Sequence, residues 1–216
     1  MKKKDIPDDL YFSPSHIIHK FQELIDYHGS DKILRGGEYK LEREAWIAAV
    51  FLLGLKNITE KDYWLRVFNE DSTPDVIAFS PVKMRDGIMA AMHNIEIFEY
   101  ESHSPSDLTA AVNKKLKKKY PDHYLLLGYG HHRSGEALDP EIVFQAVKEL
   151  KPNLESIWFM SSIETNDTEN YVLLQLHPYK NQKSFDYLKL CRESKQKKII
   201  KYEGKGITKG FSFYEE

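Results

Sequence analysis

The stretch HNIEIFEYES, residues 93–102, sets three glutamates within six positions of a segment whose apolar and aromatic content is that of a β-strand. Strand alternation separates them. Glu96 shares a face with Phe98 and Tyr100, while Glu99 and Glu101 share the other with Ile95 and Ile97. Each set is a candidate for meeting a common charged partner. A second polar cluster, GYGHHRSGEALD at 128–139, follows an apolar run and carries His131, His132 and Arg133. Histidine offers neutral metal ligation or a proton near neutral pH, and Arg133 with backbone N–H groups at a helix start can hold a phosphate. His103, just past the glutamate strand, is a possible partner for either histidine. A third cluster, NKKLKKKY at 113–120, places Lys114, Lys115, Lys117, Lys118 and Lys119 around Leu116. On a helix these lysines cover more than half the circumference, so they face solvent and suit phosphate contact. They also complement the negative end of a helix dipole.

The elements that must position these residues are readable from periodicity and punctuation. SPSHIIHKFQELIDYHGS begins with a Ser-Pro helix start and ends at Gly29, which predicts an amphipathic helix over about 14–28. YKLEREAWIAAVFLLGL is apolar on almost every side after Glu42, Arg43 and Glu44, as expected of a helix packed between other elements. DYWLRVF and PDVIAFSP read as strands joined across NEDST, and the glutamate stretch supplies a third. SPSDLTAAVNKKLKKKY is a helix that stops before Pro121, and HYLLLGYG is a strand covered on both faces. DPEIVFQAVKELKP has Asp139 as N-cap and Pro140 at the first helical position, SIWFMSSI follows as a strand, and NYVLLQLHPY is its hairpin partner. A lysine-rich C-terminal helix with a tail, about 183–216, completes the chain. The expected fold class is α/β, with a mixed central β-sheet flanked by helices on both faces. We expect a single domain over 1–216, with its core at about 41–180.

Composition limits what these clusters can mean. The 216 residues are 41% hydrophobic and 12% aromatic, enough for a substantial core. A net charge of -2 gives no global attraction to nucleic acid or membrane, so such a partner would be met by a local patch. The single cysteine, Cys191, excludes an intramolecular disulfide and makes a cysteine-based zinc site implausible. MKKKDIPDDLYF has acids and a proline where a signal peptide needs an apolar run, and no apolar stretch reaches the ~18 residues of a spanning helix. The expectation is a cytoplasmic protein with no membrane partner. No GxxxxGKS, GxGxxG or GxSxG occurs, which argues against a P-loop NTPase, a Rossmann dehydrogenase and an α/β-hydrolase.

The element order, with an acid on the first core helix, Pro74-Asp75 opening the second strand and Glu96-Ile97-Phe98 on the third, resembles the PD-(D/E)XK nuclease-like superfamily. The resemblance covers roughly 41–130 and implies a restriction-endonuclease-like core. It implies further that Asp75 and Glu96 are ligands of Mg²⁺, that Glu44 is the assisting helix acid, and that Asn113 or Lys114 adds a polar group from the following helix. Such ions neutralise a phosphodiester and lower the pKa of an attacking water, which a lysine orients.

Here the motif lysine is Phe98, which can neither donate a charge-assisted hydrogen bond nor accept a proton. Three accounts stand. The register could be that of Glu99-Tyr100-Glu101, with His103, His131 and His132 near it. The cation could come from Lys83, Arg85, Lys114 or Lys115. Or the fold has lost catalysis. The expected function is thus a Mg²⁺-dependent nuclease-like phosphodiesterase with Asp75, Glu96, Glu44 and Lys114 as its catalytic set. The alternative is a non-enzymatic module that binds nucleic acid or protein, with Lys114, Lys115, Lys118 and Arg133 as nucleic-acid contacts.

Overall fold

The computed structural model of the protein describes residues 10–67, 73–85, 87–100, 105–120, 123–130, 139–165, 168–202 and 211–214. In chain order the elements are β1 (Leu10–Phe12), α1 (Pro14–His28), α2 (Ser30–Arg35), a 3-10 turn (Gly37–Tyr39), α3 (Lys40–Thr59), β2 (Trp64–Val67), β3 (Val76–Met84), β4 (Gly87–Tyr100) and α4 (Pro105–Leu116). They continue as β5 (Tyr124–Gly130), α5 (Pro140–Glu149), β6 (Ser156–Thr165), β7 (Thr168–His177), β8 (Asn181–Asp186), α6 (Tyr187–Glu193), β9 (Ile199–Tyr202) and β10 (Phe211–Tyr214). The class is mixed α/β. The chain groups into two compact units, Met1–Asn94 with Leu188–Glu216, and Ile95–Tyr187, so that β4 runs from the first into the second. Among the described residues no helix is long and apolar enough to cross a membrane.

In the first unit the strands lie in the order β10-β9-β1-β2-β3, followed by the first part of β4. β1 pairs antiparallel with β9 and β2, and β2 with β3, so the hairpin expected across NEDST is present. α1 starts where its sequence predicts: the Ser13 hydroxyl accepts from the His16 N–H at 3.3 Å, and Pro14 holds the first helical position. α3 is buried from Arg43 to Gly54, which explains its lack of a polar face. Arg43 turns its guanidinium to the end of α2, donating from Nη1 to the carbonyls of Ile33 at 3.2 Å and Gly36 at 2.6 Å. The Ile33 carbonyl lies in the last turn of α2, where a helix end has no backbone donor of its own, and the Gly36 carbonyl also accepts from the Tyr39 N–H at 3.2 Å.

In the second unit the later part of β4 is followed by β5-β6-β7-β8. β5 and β6 are parallel, joined through α5, and β6, β7 and β8 are antiparallel neighbours. β5 is buried along its whole length, as its continuous apolar sequence requires. α5 starts on Asp139, whose carboxylate accepts from the Glu141 N–H at 2.8 Å. Leu108 and Val112 of α4 meet Val143 and Val147 of α5 in one core with Phe98, Tyr100, Leu126 and Phe159. Both helices therefore cover the strand face that carries Phe98 and Tyr100.

The C-terminal helix expected from about residue 183 is corrected. Residues 181–186 form β8 along β7, the helix is only Tyr187–Glu193, and residues 199–202 form β9 along β1. In β8 Phe185 is buried while Gln182, Lys183 and Ser184 are exposed, a one-sided pattern that belongs to an outer strand. β1, β9 and β10 are strands that periodicity over three or four residues cannot announce.

Candidate functional site: a carboxylate held by two lysines

The site is built by the end of β4 and the end of α4. In β4 the side chains of Glu96, Phe98 and Tyr100 point to the face that α4 covers, and all three are buried. A helix lying over a strand leaves water no access, so a carboxylate there must be met by the helix itself. α4 meets it with its last turn. Its hydrogen bonding tightens after Leu116: the Lys118 N–H donates to the Lys115 carbonyl at 2.9 Å, and Lys119 takes a left-handed φ of 51°. This spacing of three puts Lys115 and Lys118 on one side of the helix end.

Both lysines converge on one oxygen. Lys115 Nζ donates to Glu96 Oε1 at 2.8 Å and to the Ile97 carbonyl at 3.0 Å, and Lys118 Nζ donates to the same Oε1 at 2.9 Å. Glu96 is 3% exposed, whereas the side chains of Lys115 and Lys118 are 22% and 52% exposed. The arrangement is graded, from a buried anion to a half-exposed cation. Burial pushes the Glu96 carboxyl up, but the hydrogen bonds and charges of the two ammonium groups outweigh it and leave the pKa below the ordinary glutamate value. Glu96 Oε2 is enclosed and accepts no hydrogen bond among the described residues.

Of the residues singled out in the sequence, this brings together Glu96, Lys115 and Lys118. Lys114 points to solvent, and the cation on Glu96 comes one residue later. Glu44 and Asp75 belong to the first unit: Glu44 is buried on α3 with Lys40 Nζ at 3.6 Å, and Asp75 is half-buried immediately before β3. Glu99 is exposed, on the opposite side of β4 from Glu96. Glu101, His103, His131, His132 and Arg133 lie outside the described residues.

Phe98 has its own reason to be where it is. A Cβ at Gly128 of β5 would stand 2.6 Å from Phe98 Cζ and 2.9 Å from Phe159 Cδ2, so the two rings fill the space that the glycine leaves open. Phe98 is a core residue matched to Gly128, and a lysine in its place would leave an ammonium inside an apolar cluster.

The residues around Glu96 do not fit a Mg²⁺ site. Mg²⁺ takes about six oxygen ligands in octahedral geometry, usually with one or two carboxylates. Glu96 offers one enclosed oxygen, with two ammonium groups already on the other. Among the described residues no group of three or more His, Cys, Asp or Glu side chains is placed to hold a metal ion. With one carboxylate and two ammonium groups the cluster is net positive, and it suits an anion.

Lys115 is one of the four cations the sequence offered in place of the motif lysine, whereas the joint hold of Lys115 and Lys118 on Glu96 is what sequence reading missed. Its signal was present in part: a carboxylate on the strand face under the next helix, and lysines three apart on that helix. No family model, curated protein or solved structure matches the chain.

Proposed function

We propose that the protein binds the phosphate backbone of nucleic acid through the basic end of α4, without cleaving it. The observation that carries this reading is the state of Glu96: its carboxylate is neutralised by Lys115 and Lys118, which turns an acidic position into a cationic one. Lys114, Lys117 and Lys119 are exposed around the same helix end and add three positive charges to it. A phosphate backbone meeting such a cluster releases condensed counterions, which supplies affinity without base contacts. The net charge of -2 on the whole chain makes that affinity local and dependent on salt.

The test is a salt series. A labelled oligonucleotide is titrated with the protein and followed by fluorescence anisotropy at several salt concentrations. The expected result is a linear fall of log K with log salt, with the slope reduced by about 1 for each of Lys114→Met and Lys117→Met. Absence of binding at low salt would overturn the proposal. So would Mg²⁺-dependent cleavage that Glu96→Gln abolishes: it would favour a nuclease in which Lys115, arriving from the helix, stands for the lysine that Phe98 replaces.

A further inference from the structure

Within the binding reading just given, on which this step rests, we infer that Lys115 and Lys118 form a seat for a terminal phosphate monoester, held in position by Glu96, so that the protein recognises phosphorylated ends of nucleic acid. Donor arithmetic is the first ground. An ammonium group has three N–H donors. Lys115 uses two, on Glu96 Oε1 and the Ile97 carbonyl, and Lys118 uses one. Among the described residues, one donor of Lys115 and two of Lys118 are left in one place. A phosphate monoester brings three acceptor oxygens and a charge of about -1.5 to -2, whereas an internal phosphodiester brings two such oxygens and a single charge.

Spacing is the second ground. Both nitrogens are bonded to one oxygen, so their separation cannot exceed the sum of those two short distances, which a single phosphate group spans. Access is the third. Lys115 is largely covered and Lys118 half exposed, so the seat is approached from one side and suits an end of a strand. The strand that follows the end would run over the exposed Lys114, Lys117 and Lys119.

Glu96 is a positioning residue here. Its enclosed Oε2 meets nothing among the described residues, so the carboxylate acts only through the two ammonium groups on Oε1. Lysine in solution samples many rotamers, and a seat that already holds both heads does not pay that ordering cost when phosphate arrives. Glu96→Gln therefore has two opposite effects. It raises the net positive charge of the helix end, which favours any polyanion, and it releases the two lysine heads, which removes the distinction between ends.

The experiment compares one oligonucleotide in three forms, with a 5′-phosphate, a 3′-phosphate or hydroxyls at both ends, binding to the full chain by anisotropy. At least one phosphorylated form is expected to bind about tenfold tighter than the hydroxyl form, the fold-change of one added charge-assisted hydrogen bond. Inorganic phosphate is expected to compete that advantage away before it weakens binding of the hydroxyl form. Lys115→Met and Glu96→Gln should each erase the advantage. Lys118→Met, at a half-exposed side chain, should erase it as well. Equal affinity for all three forms with salt-dependent binding intact overturns this inference and leaves the polyanion reading standing. Loss of binding to every form overturns both. Retention of the advantage in Glu96→Gln and Lys118→Met alike overturns the seat.

Discussion

Replacing Glu96 by glutamine tests whether the two lysines and the buried carboxylate act as one unit. The amide keeps the shape of the side chain and removes its charge. Breaking a fully buried ion pair by neutralising one partner costs about 3–5 kcal/mol, because the surviving charge is stranded. Here the survivors are not fully stranded: Lys118 is 52% exposed and can turn to water, and Lys115 at 22% can do so in part. The two bonds, at 2.8 and 2.9 Å, are of charge-assisted length. Discounted for that exposure, the expected loss is about 1.5–3 kcal/mol. Urea unfolding followed by circular dichroism should show a lower midpoint with an unchanged slope.

The loss should also depend on pH in a definite direction. The Glu96 pKa is lowered in the folded chain, so its contribution is fully present above the unfolded glutamate value, about 4.3, and fades as pH falls through the lower folded value. Wild type and Glu96→Gln should therefore differ most near neutral pH and converge in acid. A difference below about 0.5 kcal/mol at neutral pH, the level of an ordinary surface change, would refute the reasoning. So would a difference that stays constant down to acid pH.

Two further substitutions probe the elements that hold the site. Gly128→Ala puts a methyl group 2.6 Å from Phe98 Cζ and 2.9 Å from Phe159 Cδ2, and should destabilise the fold by about 1–3 kcal/mol in thermal or urea unfolding. Combining it with Phe98→Leu should recover part of that loss, and a neutral single mutant would show that the two rings are not matched to the glycine. Lys119→Gly relieves a left-handed residue at φ 51° and should raise stability by about 0.5 kcal/mol, once the added freedom of glycine in the unfolded chain is set against it. A lower melting temperature would mean that the Lys119 side chain contributes more than its backbone costs.

What the sequence by itself determined are the features that depend on neighbours in the chain. Alternation in HNIEIFEYES assigns Glu96, Phe98 and Tyr100 to one face, and the structure buries all three under a helix. Ser13-Pro14 and Asp139-Pro140 mark helix starts because a cap acts within three residues. The all-round apolar pattern of α3 announces a buried helix. Tertiary structure decided what depends on residues far apart in sequence. β1 and β9 are strands because they find each other from opposite ends of the chain, a pairing no local window contains. Phe98 is explained by the missing side chain at Gly128, thirty positions on. Which lysine meets Glu96 is fixed by the tightened last turn of α4, which aims Lys115 and Lys118 at the strand and sends Lys114 to solvent. Periodicity says which way a side chain points; only packing brings a second side chain to the same place.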